Sequence, residues 1–135
     1  MKEMHRSRVV YLVIDVSDLD AAVYFWSAAL GAAVEPGNPA SRHIYRKLRL
    51  PDADIRVLLQ RTDDEKASKE RMQLDLETDD VEAEVRRLEA LGASRWDHQT
   101  ARGYDFWVMR DPWGNEFCVL QAMYSELLAK REPWA

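Results

Sequence analysis

Val10-Tyr11-Leu12-Val13-Ile14-Asp15-Val16-Ser17-Asp18-Leu19-Asp20-Ala21-Ala22-Val23 is answered 62 residues later by Met72-Gln73-Leu74-Asp75-Leu76-Glu77-Thr78-Asp79-Asp80-Val81-Glu82-Ala83-Glu84-Val85. Leu30-Gly31-Ala32 returns as Leu91-Gly92-Ala93, and Leu59-Gln60 as Leu120-Gln121, each after 61 residues. Three landmarks in one order mark an internal duplication. They place one module at about 8–62 and a second at about 71–121.

Working outward, each module opens on a run whose alternate residues differ in character, the period of a strand. Val10, Leu12, Ile14 and Val16 make one uniform apolar face, and Tyr11, Val13 and Asp15 make the other. In the second module Met72, Leu74 and Leu76 oppose Gln73, Asp75 and Glu77. A helix follows each run. Leu19, Ala22, Val23, Trp26 and Leu30 form the first apolar stripe, started by Ser17 or Asp18 as a cap. Val81, Val85, Leu88 and Leu91 form the second, with Asp79 and Glu82 spaced as a capping box and Arg86 one turn beyond Glu82. Gly31 and Gly92 stand where left-handed helix ends are wanted.

Three strand-like pieces come after each glycine: 32–35, 43–50 and 55–60, then 93–97, 104–110 and 116–121. Asp111-Pro112-Trp113-Gly114-Asn115 is the turn before the last one, with Asp111 and Asn115 holding it by side-chain to backbone bonds. Each module therefore reads βαβββ, an α+β fold. The charged stretch Asp63 to Arg71 reads as a solvated linker, and Ala122 to Arg131 as a C-terminal helix within a tail of residues 122–135.

Composition limits the function classes. The chain has 135 residues, enough for a core of its own. Nineteen basic against 24 acidic residues leave a net charge of −5, which disfavours a nucleic-acid partner. No apolar run reaches the roughly 18 residues of a membrane span. The lone Cys118 allows no intrachain disulfide, so a cytoplasmic protein is expected.

The paired βαβββ modules, the strand-to-helix junctions Val16-Ser17-Asp18 and Thr78-Asp79-Asp80, the Leu-Gly-Ala helix ends and Asp111-Pro112-Trp113-Gly114-Asn115-Glu116-Phe117 resemble the vicinal oxygen chelate superfamily. It includes glyoxalase I, extradiol dioxygenases, and fosfomycin- and bleomycin-resistance proteins. The resemblance implies two tandem modules forming a curved mixed sheet around a cleft, usually in a homodimer. It also implies four metal-ligand positions, held by His or Glu in the metal enzymes. Here they fall on Tyr11, Val57, Gln73 and Cys118, which lack the usual ligand set for a divalent ion.

The expectation is thus a protein with no metal and no cofactor. The leading reading is a glyoxalase/bleomycin-resistance type protein that sequesters a planar or aromatic small organic molecule. The rival is a glyoxalase-like enzyme using side-chain acids and bases for isomerisation or proton transfer. Tyr11, Gln73, Val57 and Cys118, with Tyr45, Trp107 and Trp113, are the expected ligand-binding residues, aromatic walls supplying large contact area at low entropy cost. For Trp26 the helix stripe implies a packing role, and a small buried residue is the plainer role for Cys118. Asp15, Asp75, Glu77, His43 and His98 are the candidates for proton transfer. The plainer reading of the carboxylates is pairing with Arg46, Arg49 or Arg56, and of the histidines, solvation.

Overall fold

The computed structural model of the chain describes residues 4–51, 53–63, 72–101, 103–112 and 114–134. The elements are β1 (Ser7–Val16), α1 (Leu19–Leu30), β2 (Ala33–Val34), β3 (Tyr45–Arg49), β4 (Arg56–Arg61), β5 (Met72–Thr78), α2 (Val81–Ala90), β6 (Ser94–Ala101), β7 (Tyr104–Arg110), β8 (Glu116–Gln121) and α3 (Ser125–Leu128). This is βαβββ twice, followed by a short helix. The 64–71 part of the expected linker and Trp113 lie outside the described residues. Among the described residues no helix is long and apolar enough to cross a membrane.

The chain divides into two compact units, one of residues 11–73 and the other joining the segment up to Val10 to Leu74 onward. In the first unit the strands run in the order β2-β3-β4-β1. β1 and β4 are parallel, and the β2–β3 and β3–β4 pairs are antiparallel. α1 covers one face. Ile14, Leu19, Leu48, Val57 and Leu59 are buried beneath it, with Val23 and Trp26 packed against them, so Trp26 is the structural residue its spacing predicts. Asp18 caps the helix by accepting from the Ala21 N–H, and Gly31 ends it at φ +62°, a left-handed conformation that favours glycine.

The second unit has the order β5-β8-β7-β6, again with one parallel pair, β5–β8, and two antiparallel ones. α2 packs on Met109 and Val119 through Val85, with Val81 and Leu88 beside it. Four details depart from the sequence reading. Asp80, not Asp79, caps α2, through the Ala83 N–H, while Asp79 accepts from the Arg6 N–H. The C-cap is Leu91 in a right-handed conformation, with Gly92 following at φ +113°. β6 runs on to Ala101 because its antiparallel pairing with β7 continues to Ala101–Tyr104, and α3 is only four residues long. The Glu82–Arg86 pair forms as spaced, and Arg95 of β6 bridges Glu82 and Glu89 from across the unit.

The short α3 does not leave the tail loose. Glu77, fully buried in β5, accepts from the backbone N–H groups of Met123 and Tyr124 and from Arg8. Arg6 donates to the Arg131 carbonyl, and Trp134 donates its backbone N–H to the His5 carbonyl and its indole N–H to Ser7 Oγ. Beneath these contacts lies Glu84, 0% exposed on α2. One oxygen accepts from His5 Nε2 at 2.8 Å and Arg87 Nε at 2.7 Å, and the other from Ser7 Oγ at 2.7 Å and Arg87 Nη2 at 2.9 Å. The same Arg87 guanidinium lies 3.9 Å from the centre of the Trp134 ring. One carboxylate thus organises both the entering and the leaving chain.

Burial alone pushes the Glu84 carboxyl up, but the hydrogen bonds from Arg87, His5 and Ser7 together hold it below the usual carboxylate range. A group depressed in the folded state contributes stability above its unfolded pKa, about 4.3, and that contribution is lost as pH falls through the lower folded value. Glu84→Gln should cost about 3 kcal/mol at pH 7, because it leaves the Arg87 guanidinium and the buried His5 and Ser7 donors facing a neutral amide. In urea denaturation the gap between wild type and E84Q should be constant above about pH 5 and narrow below it. An unchanged urea midpoint at pH 7 contradicts the role given to this residue.

Candidate functional site

Register and alternation decide which side chains each sheet turns away from its helix. In the first unit Leu12 pairs with Val57 and Leu48 with Val57, all on the α1 side, while Tyr11 pairs with Arg56, Lys47 with Leu58 and Arg49 with Arg56. Because successive residues point to opposite faces, the face away from α1 carries Tyr11, Val13 and Asp15 of β1, Arg56, Leu58 and Gln60 of β4, and Tyr45, Lys47 and Arg49 of β3. Tyr11, Val13 and Leu58 are enclosed, at 3%, 2% and 8% exposure. Tyr45, Lys47 and Arg56 are half-buried and Arg49 is exposed, so the polar groups form the accessible side.

Lys47 Nζ lies 5.4 Å from the centre of the Tyr11 ring, a cation over an aromatic face. Arg56 donates from Nε to Glu35 Oε1 at 2.5 Å and from Nη1 to the Asp54 carbonyl at 3.1 Å. Burial pushes the Lys47 ammonium below the ordinary lysine range. Glu35 opposes that shift, and the like charge of Arg56 adds to it. This face combines a large ring, an amine whose charge is less secure than usual, the Arg56 guanidinium held by Glu35, and the exposed guanidinium of Arg49. Such groups can hold a negatively charged atom or exchange a proton beside an organic surface.

Two expected ligand-binding residues face the helix side of their sheets. Val57 faces α1 as part of the buried core, not the side that carries Tyr11. Asp75, the counterpart of Val13 in the repeat, pairs with Cys118, and Val13 pairs with Leu58. Leu58 is therefore the counterpart of Cys118. Trp107 likewise packs against the α2 core, stacked on His98 with ring centres 4.5 Å apart and with the Arg95 guanidinium 5.1 Å from its own ring centre. Tyr45 shares a face with Tyr11. Gln73 is half-buried in β5, and Cys118 is buried in β8 on the face away from α2, beside Asp75 and Val108 in register.

These placements also bear on the divalent ion that the superfamily's enzymes use. At the four usual positions, the first module's last-strand one being Leu58 by register, stand a phenol, an aliphatic side chain, an amide and a thiol. Among the described residues no three His, Cys, Asp or Glu side chains gather as a metal-holding group. The residues present do not fit the ion.

The proton-transfer candidates separate in the same way. Glu77 is committed to Arg8 and to the two backbone N–H groups of the tail, a structural duty. Asp75 is buried in β5 and Asp15 half-buried in β1. Of the arginines expected to pair with these carboxylates, Arg46 bridges Asp20 and Arg56 bridges Glu35. His98 is exposed on the α2 side, in a very short contact with Asp105, and His43 is exposed in the turn before β3. Ser7, His5 and Glu84 have the residue types of a nucleophile triad but the wrong order. The carboxylate stands between the other two, and the serine proton goes to it, not to an imidazole. The sequence reading passed over Lys47, whose signal was its place two residues after Tyr45 on the mixed face of β3.

Residues 11–120 match the family model described as a glyoxalase-like domain. No curated protein matches the sequence. Among solved structures, methylmalonyl-CoA epimerase from Mycobacterium tuberculosis is similar at 18% identity, with 88% of this chain and 90% of that one covered and a TM-score of 0.64. A glyoxalase/bleomycin resistance protein/dioxygenase superfamily member from Vibrio splendidus 12B01 shares 18% identity over 86% of this chain and 99% of its own, with a TM-score of 0.58. A hypothetical protein from Bacillus halodurans C-125 shares 11% identity over 86% and 94%, with a TM-score of 0.64. At these identities the likeness is one of fold. With the model spanning most of its length and both βαβββ modules in place, the chain belongs to the glyoxalase-like domain family of the vicinal oxygen chelate superfamily.

Proposed function

We propose that this protein binds a small organic molecule without a metal ion, on the face of the first module that carries Tyr11, Tyr45 and Lys47. The observation that carries the reading is that the family's ion-ligand positions are held by Tyr11, Leu58, Gln73 and Cys118, with no His or carboxylate among them. What remains on that face is an aromatic and cationic surface, suited to hold a flat ligand by contact area and charge. Sequestration, as in resistance proteins of this superfamily, and a cytoplasmic location are part of this proposal. The protein is further proposed to act as a homodimer. Tyr24 and Phe25 of α1, 80% and 59% exposed, support this as large apolar groups facing outward. Light scattering should return twice the chain mass, and a monomer at working concentration contradicts it.

A second reading is favoured by Lys47. An amine pushed below its ordinary range by burial is a better base at neutral pH than an exposed lysine. In a proton-transfer enzyme it would take a proton from the ligand and return it to a neighbouring atom. Activity would then rise with pH as the ammonium is lost.

Both readings are separated by recovering the ligand. Protein purified without chelator and screened against flat organic molecules by thermal shift should be stabilised, hold no stoichiometric zinc, nickel, iron or manganese, and return the ligand with unchanged mass and stereochemistry. An altered ligand, with the change abolished by Lys47→Met, favours the enzyme. A full equivalent of transition metal overturns the metal-free account.

A further inference from the structure

We infer that two copies of this chain join through the outward face of α1, with Tyr24 and Phe25 of each helix seated on Ala29 and Ala28 of the other. The inference deepens the homodimer reading above and rests on it, naming the surface that holds the copies together.

α1 is apolar on both sides. Leu19, Ala22, Val23 and Trp26 pack on the core of the first unit. Ala21, Tyr24, Phe25, Ala28 and Ala29 fall at i, i+3, i+4, i+7 and i+8, a second stripe, and all five are exposed. Asp20 is the only charged residue of the twelve. A helix that is apolar all round belongs inside a protein assembly. The duplication supplies a control, because α2 holds the same place in the second module. There the exposed positions include Glu82, Arg86 and Glu89. The module therefore folds without an outward apolar stripe, and α1 carries one for another purpose.

The order of residues along the stripe selects a second copy as the occupant. Two large rings are adjacent, and two methyl side chains follow one turn later. In an antiparallel pair of α1 helices related by a two-fold axis level with Trp26 and Ser27, Tyr24 meets Ala29 of the other copy and Phe25 meets Ala28. Each ring then sits over a small residue, and every contact is made twice. Phe25 is already held edge-on by Trp26, with ring centres 5.1 Å and planes 89° apart, so less freedom is lost on association. Leu30 and Val34 extend the exposed surface, Val34 lying on the α1 side of its sheet through its pairing with Leu48. Together these groups present roughly 550 Å² per copy, so that a pair buries about 1,100 Å², enough for a specific contact.

Sedimentation equilibrium of the full chain tests this. Wild type should run at twice the chain mass. Tyr24→Glu and, separately, Ala28→Arg, both at exposed positions and each checked for an unchanged circular dichroism spectrum, should raise the dimer dissociation constant about thirtyfold or more, the scale of an interface hot spot. Adding Ala29→Lys to Tyr24→Glu should recover about tenfold, because the introduced ammonium of one copy then faces the introduced carboxylate of the other. A dimer that neither single substitution weakens, or a loss that Ala29→Lys does not recover, overturns the inference while leaving the homodimer to another surface. A monomeric wild type overturns the inference and the homodimer reading together, and leaves the stripe to an unlike protein or an apolar ligand.

Discussion

The parallel register of β1 on β4 is the constraint from which the first module's chemistry follows. Tyr11 against Arg56 and Leu12 against Val57 is one of two ways to sort these strands between core and open face. A shift of a single residue would bring Val57 out from beneath α1 and put Arg56 in its place, exposing apolar surface and burying a charge. Packing under α1 therefore fixes the open face as well as the core. With Val57, Leu48 and Leu59 committed to the helix, Arg56, Lys47, Arg49 and Tyr45 have nowhere else to point.

The second unit spends its polar groups differently. Glu84 and Glu77, both fully buried, would be costly if unpaired, yet every oxygen of each has a donor. Their partners come from the entering strand, the helix and the tail, so these carboxylates act as fasteners where aliphatic residues would only have packed. A buried, fully donated carboxylate is a poor proton shuttle, which moves the interest in acid–base chemistry from the second module's acids to the first module's Lys47.

The duplication, both helices and the Asp18 cap were legible because each is carried by local spacing, and the family resemblance by turns and junctions of fixed composition. Facing was less legible. Leu59-Gln60 and Leu120-Gln121 match in letters, but Leu59 is in the helix-side core and Leu120 pairs with Glu77 on the other side of its sheet. An alignment anchored there is wrong by one residue, which in a strand is wrong by a whole face. Trp107 was obscure for a related reason. Phe106, Val108, Trp107 and Met109 are all apolar, so alternation carries no sign of which pair faces α2. The Glu84 cluster depends on residues more than 70 positions apart, and nothing local in His5 or Ser7 announces it.

The most direct measurement of the central claim is a crystal structure of the protein grown with a flat organic molecule selected by thermal shift. The account predicts the ligand on the face that carries Tyr11, Tyr45 and Lys47, with no metal bonded to Tyr11. A ligand seated elsewhere with this face bare, or a transition metal held by protein atoms at Tyr11, would contradict it.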